Sequence, residues 1–194
     1  MTVAAVVLAG GASRRFGADK LAADLGGRSL LECALEGLPS AWTVIVVGPH
    51  RSLTVDRPLI QVREDPPGSG PAAALVTGMA AALSHGADTV VTLPGDAPGG
   101  GVAAVELFTA LTKARTTDPA CTAVVGRDLT GFEQPLQLAL TGAPLQRLAA
   151  RTDTARTSAR ALLPELGDYQ VVELPRPMTV DVDTPDDLAA LTDR

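Results

Sequence analysis

The residues best equipped for chemistry lie in the stretch Leu8-Ala-Gly-Gly-Ala-Ser-Arg-Arg-Phe-Gly-Ala-Asp-Lys20, directly after an apolar run. Glycines at positions 10 and 11 tolerate backbone conformations closed to other residues and let N–H groups approach an anion closely. Successive amides in such a turn form a concave donor surface suited to a polyphosphate. Arg14, Arg15 or Lys20 adds positive charge where a transferring phosphorus gathers negative charge. Two better-known phosphate loops do not fit. Gly17 is followed by Ala18 and Asp19, not by the Lys-Ser/Thr pair of a Walker A loop, and residues 10–14 lack the G-x-G-x-x-G spacing. The plainer alternative is a strand-to-loop turn with solvated arginines. Two arginines and a lysine around a Gly-Gly turn weigh against it.

A second group of candidates is acidic. Asp96 closes the run Val90-Val-Thr-Leu-Pro-Gly-Asp96. Beside a polyphosphate an acid is useful chiefly as a ligand for Mg²⁺, which takes one or two carboxylates together with phosphate oxygens and water. The ion would stabilise charge on the phosphorus and on departing pyrophosphate. An aspartate shortly before Pro98 is also an ordinary turn residue, and it is the company of the glycine-rich loop that favours the metal. Asp181 and Asp183 add two carboxylates that either complete a metal site or merely accompany the helix cap at Thr184. His50 reads as a loop residue rather than a catalyst.

These side chains need a frame. Residues 3–8, 43–47, 59–62 and 89–93 have the β-branched composition of buried strands, and residues 29–37, 71–85 and 102–114 carry apolar residues at helical spacing. Strand alternating with helix implies parallel pairing, and strands without polar alternation imply burial on both faces. The expected fold is therefore a three-layer α/β/α domain with a mostly parallel, Rossmann-like sheet, whose carboxyl edge is where ligands bind. Farther along, residues 121–125, 137–140, 171–174 and 180–182 read as strands, and residues 144–150 and 158–163 as short helices. A last helix opens at Thr184-Pro-Asp-Asp, with Thr184 as N-cap. Residues 151–160, polar and rich in Thr, Ala and Arg, are expected to be the most mobile segment.

Composition bounds the rest. The 194 residues suit one domain spanning 1–194, and 46% hydrophobic against 20% charged residues supports a packed interior rather than disorder. A net charge of −6 argues against broad nucleic-acid binding while leaving room for a single nucleotide. No apolar run reaches the roughly 18–20 residues of a membrane span, and the first residues lack the basic start of a signal peptide. Cys33 and Cys121 read as buried thiols of a reduced cytoplasm. Two histidines and two cysteines, far apart, do not make a zinc site.

The first stretch resembles the L-A-G-G-x-S-x-R-M-G-x-D-K signature of MobA-like nucleotidyltransferases, in particular the molybdenum cofactor guanylyltransferases, with Phe16 in place of the usual methionine. Residues 63–75 resemble the family's D-x-x-x-x-G-P-L-A-G-L segment, with Ala72-Ala-Ala replacing Leu-Ala-Gly. Residues 93–98 resemble its L-x-x-P-C-D-x-P element, Gln134-Pro-Leu its Q-P-L/V segment, and residues 181–188 its N-x-N-T-P-E-E-L end, with aspartates for both asparagines. Gly48-Pro-His-Arg51 lacks the family's asparagine.

The resemblance implies a nucleotide-diphospho-sugar transferase-like fold and Mg²⁺-dependent transfer of GMP from GTP to molybdopterin, releasing pyrophosphate and forming the guanine dinucleotide cofactor. It implies nucleotide contacts at Leu8, Ala9, Gly10, Gly11, Lys20, Asp65 and Asp96. Arg15, Lys20 and Asp96 would carry catalysis, and Asp96 with Asp183 would hold the metal. Asp65 would accept from the N1–H and amino edge of guanine, or only solvate its loop. Glycines 99–101, where the family has hydrophobic residues, are expected to leave that wall flexible. The chain is expected to act in the cytoplasm as a monomer or weak oligomer. Two alternatives remain: a cytidylyltransferase of the same cofactor, whose loop usually reads L-A-A-G, and a catalytically weak GTP-binding relative.

Overall fold

The computed structural model describes residues 1–11, 13 and 15–192. At its centre lies β1 (Val3–Leu8), whose side chains alternate between two cores because successive residues of a strand face opposite sides. Val3, Ala5 and Val7 join one apolar cluster, and Ala4 and Val6 the other. Fully burying one such valine contributes roughly 1.5–3 kcal/mol. β1 pairs in parallel with β4 (Thr43–Val47) on one side and with β6 (Thr89–Pro94) on the other. β5 (Leu59–Val62) extends the sheet beyond β4. The remaining strands are β7 (Ala123–Arg127), β8 (Glu133–Thr141) and β9 (Gln170–Glu173), giving the order β5-β4-β1-β6-β8-β7-β9.

Only β8 runs against the others. The connection from β7 to β8 is too short for a crossover, so the two strands must be antiparallel. Its turn is organised by Asp128, which accepts from the backbone of Thr130 and Phe132 at 2.9 and 3.0 Å. Two short strands, β2 (Asp24–Leu25) and β3 (Arg28–Ser29), form a separate ribbon that the sequence reading did not include.

Helices α1 (Leu30–Ala34) and α3 (Gly100–Thr117) pack on one face of the sheet, and α2 (Pro71–Ser84) and α4 (Gly142–Ala149) on the other. Three layers result, as expected. α1 starts at a reciprocal cap between Ser29 and Glu32 and is shorter than the apolar spacing predicts. Residues 159–166 form a 3-10 helix rather than an α-helix, with Pro164 inside it unable to donate. The expected strand at 180–182 does not form. Val182 is fully buried and its N–H donates to the Asp96 carbonyl at 2.9 Å, so the segment is fixed by one bond across the end of β6 instead of a ladder. Residues 151–160 are tied down rather than loose: Arg151 pairs with Asp153 and Glu165, the Arg156 N–H reaches the Ser69 carbonyl at 2.7 Å, and Thr154 is buried. The final helix is α5 (Pro185–Thr192).

Candidate active site

The sheet ends its parallel strands β1, β4 and β6 on one edge, and the candidate residues gather there. The Leu8 carbonyl accepts from Gly95 at 2.9 Å, and the Ala9 N–H donates to Val47 at 2.8 Å, so both residues tie the loop to its neighbours. Beyond them Gly10 and Gly11 are exposed, with Gly11 at φ +130°, and a Cβ on either would meet nothing within 4 Å. That leaves backbone open to a ligand. A cleft of about 540 Å³ lies beside this loop, lined by Gly11, Ser13, Gly17, Asp19, His50 and Arg51 among others. Ala12 and Arg14 of the motif lie outside the described residues.

Lys20 is the hub. Its ammonium lies 2.5 Å from Asp96 Oδ2 and 3.0 Å from Asp183 Oδ1, while Arg15 Nη1 lies 2.8 Å from Asp183 Oδ2. Burial alone would lower the Lys20 pKa, but the bonds and charges of Asp96 and Asp183 outweigh it and hold it above the ordinary value. Arg15 is well exposed, so its pair adds little to stability.

Local sequence explains how the acids arrive. Asp96 follows β6 on a turn whose backbone is packed against the end of β1 at Gly95. Thr92 bridges β6 to β8, donating to the Leu136 carbonyl and accepting from the Leu138 N–H, where the regular ladder has ended. Asp183 is fixed from the other direction by the start of α5. Asp187 accepts from the backbone of Asp183 and Thr184 at 3.1 and 2.8 Å, and Thr184 Oγ1 accepts from Asp187 N–H at 3.2 Å. This reciprocal cap, foreseen only at Thr184, is what orients Asp183.

Asp181 lies near enough to feel the charges of Asp96 and Asp183. Water reaches its side chain, yet the surrounding protein strips enough hydration to push its pKa up to about 6, with the Asp96 charge adding to the effect and Lys20 opposing it. Asp65 is not gathered in. It is exposed on the loop after β5 and its side chain makes no hydrogen bond or ion pair among the described residues, whereas the neighbouring Glu64 is buried and accepts from Gly68 N–H at 2.9 Å.

The glycines at 99–101 do not form a flexible wall. Gly100 and Gly101 open α3, and a Cβ on Gly99 would lie 2.0 Å from the Pro177 carbonyl oxygen, one on Gly101 2.0 Å from that of Glu36. They permit close packing of backbone against backbone. Asp19 and Arg51 also stand at this edge, though nothing in the sequence marks them as partners. They pair at 2.5 and 3.1 Å across 32 positions, a contact that local spacing could not reveal. The bond from Arg51 holds the Asp19 carboxyl below its ordinary pKa.

The donor set fits a hard divalent cation. Asp96 and Asp183 already converge on one cationic point, occupied by the Lys20 ammonium, and both offer oxygen only. Among the described residues no group of three or more potential metal ligands converges. No helix among the described residues is long and apolar enough to cross a membrane.

Comparison with known proteins agrees with the fold. The profile of the MobA-like NTP transferase domain matches residues 5–169. No curated protein sequence matches the chain. Among solved structures, the Rv0371c protein of Mycobacterium tuberculosis superposes with a TM-score of 0.69 at 20% identity, covering 100% of both chains. That protein has also been solved in complex with manganese. The molybdopterin-guanine dinucleotide biosynthesis protein A of Archaeoglobus fulgidus gives 0.60 at 23% identity, covering 100% of this chain and 97% of that one. A 4-diphosphocytidyl-2C-methyl-D-erythritol synthase from Anaerococcus prevotii gives 0.65 at 16%, with 99% and 97% covered.

Proposed function

The chain belongs to the MobA-like NTP transferase family, and from that premise we propose that it transfers GMP from GTP to molybdopterin in the presence of Mg²⁺, releasing pyrophosphate. The observation that carries this reading is the Lys20 ammonium shared by Asp96 and Asp183 at the end of the glycine-rich loop. A phosphate-binding cation and two metal-binding carboxylates stand within one bond of each other.

In the reaction, an oxygen of the acceptor's terminal phosphate forms a bond to the α-phosphorus of GTP. The bond from that phosphorus to the α,β-bridging oxygen breaks, and its electron pair leaves with pyrophosphate. No side-chain nucleophile is needed, and the protein acts by positioning and by neutralising charge. The Gly10 and Gly11 amides cradle the phosphates. Lys20, released from the carboxylates, and Arg15 neutralise the triphosphate. Asp65 accepts from the N1–H and amino edge of guanine. A divalent ion held by Asp96 and Asp183 would supply positive charge at the α-phosphorus and on the leaving group. Buried free thiols at Cys33 and Cys121 suit a reducing cytoplasm.

A cytidylyl reading draws on the structural likeness to the erythritol enzyme and to a CMP:2-keto-3-deoxy-manno-octonic acid synthetase complexed with CTP. The Gly10-Gly11 pair supports guanylyl transfer over it. The packing roles of Gly99 and Gly101 remove one motive for reading the chain as a disabled relative. Calorimetric titration with GTP, CTP, ATP and UTP, each with Mg²⁺, followed by a pyrophosphate-release assay with molybdopterin, tests the proposal. Selective GTP binding with release supports it. Selective CTP binding, or GTP binding without release, refutes it.

A further inference from the structure

Resting on the reading of residues 8–20 as a phosphate loop, we propose that Arg51 is a positioning residue for that loop, clasping both ends with one guanidinium and so fixing where Lys20 stands. Arg51 is itself firmly held. Its N–H donates to Gln61 Oε1 and its carbonyl accepts from Gln61 Nε2, both at 2.8 Å, so a side chain of β5 grips its backbone from two directions. The Arg51 side chain is only 14% exposed.

From that anchor the guanidinium reaches two places. Nη1 and Nη2 donate to the Asp19 carboxylate at 2.5 and 3.1 Å, and Nη2 donates to the Ala9 carbonyl at 3.5 Å. Asp19 Oδ1 in turn accepts from Leu21 N–H at 3.2 Å, capping the short 3-10 helix Lys20–Ala22. A continuous chain of contacts thus runs from Gln61 through Arg51 and Asp19 to the turn that carries Lys20. At the other end, Gly48 comes so close to the loop that a Cβ there would lie 2.6 Å from the Ala9 oxygen.

Between these ends the described residues make few bonds within the loop, and Arg15 pairs outward with Asp183. The loop's described internal bonds are those of Phe16 and Gly17 N–H to the Ser13 carbonyl, with a long contact from Lys20 N–H to Ser13 Oγ. Ordering such a segment costs conformational entropy, and whatever is not ordered beforehand is lost from ligand affinity. A rigid planar fork that meets the Asp19 carboxylate with two nitrogens while one of them also reaches the Ala9 carbonyl suits the task, whereas a lysine ammonium is a flexible point charge without that geometry. Because Asp19 neutralises Arg51, the pair shapes the loop without adding net charge for the phosphates.

The experiment compares the wild type, Arg51→Ala, Asp19→Ala and the double variant. Inorganic tripolyphosphate with Mg²⁺ is the probe in calorimetry, and hydrogen exchange follows the amides of residues 9–21. Each single variant is expected to weaken tripolyphosphate about tenfold, the scale of one lost charge-assisted hydrogen bond, and to speed exchange in the loop. The double variant should bind no worse than the poorer single, and Arg51→Lys should recover part of the loss. Unchanged exchange or unchanged affinity in Arg51→Ala overturns the proposal. So does tighter binding in Asp19→Ala, which would make Arg51 a direct phosphate ligand. Failure of the wild type to bind tripolyphosphate would overturn the phosphate-loop reading itself, and the wild-type titration separates that failure from failure of the clasp. Should an alanine variant not fold, Arg51→Lys and Asp19→Asn carry the same comparison.

Discussion

Replacing Lys20 with methionine keeps an apolar stem and removes one charge, and its effects on two ligands should have opposite signs. The ammonium lies 2.5 Å from Asp96 and 3.0 Å from Asp183. A divalent ion must displace it before it can use both carboxylates. Two unit charges 3 Å apart interact by about 1.4 kcal/mol in water and about 5.5 kcal/mol at an effective dielectric of 20. Lys20 is well shielded but Asp183 is 42% exposed, so the lower part of that range applies. A net of about 1.4–2.8 kcal/mol corresponds to roughly ten- to hundredfold in affinity. Lys20→Met should therefore bind Mn²⁺ alone roughly ten- to hundredfold more tightly than the wild type, and inorganic tripolyphosphate correspondingly more weakly. Calorimetric titration of the two proteins with each ligand reads both changes. Unchanged or weaker Mn²⁺ binding in the variant would refute the reasoning, because the carboxylates freed by the substitution would then not form the cation site.

Other perturbations test other parts of the structure. Gly101→Ala places a methyl group against the Glu36 carbonyl, and should lower stability by about 1–3 kcal/mol in urea unfolding; a wild-type midpoint would restore the flexible-wall reading. Thr184→Ala removes the hydroxyl that caps α5 and should cost about 1 kcal/mol while weakening Mn²⁺ binding, since Asp183 loses its fixed backbone; both are read by melting and titration. The raised pKa of Asp181 means that the folded state holds its proton more tightly than the unfolded chain. The stability this provides is present below the ordinary 3.8 and is lost as pH rises to about 6. Relative to Asp181→Asn, the wild-type melting temperature should fall across that window and then level off. Parallel curves would contradict the raised value.

Much of the frame was legible because it rests on local pattern. The β-branched run at Val3–Leu8 and the apolar spacing of α2 each identify an element without reference to the rest of the chain. The glycine-rich turn and Asp96 were legible for a similar reason, since each follows directly on such a strand. What local pattern missed depends on contacts distant in sequence. Residues 180–182 have strand composition, yet they meet the sheet through one bond to Asp96 and form no ladder. Glycines 99–101 looked flexible because their packing partners, Glu36 and Pro177, come from two other segments. The Arg51–Asp19 pair left no trace in spacing, and the exposure of Asp65 beside buried Glu64 follows from the path of a loop.

The most direct test is a crystal structure of the chain grown with a non-hydrolysable GTP analogue and Mn²⁺, with the metal located by its anomalous signal. Density for the triphosphate along Gly10, Gly11 and Lys20, a manganese peak between Asp96 and Asp183, and the Lys20 ammonium moved from the carboxylates onto phosphate are the expected result. A nucleotide bound elsewhere, or a Lys20 still clamped between the two aspartates with no metal beside them, would contradict it.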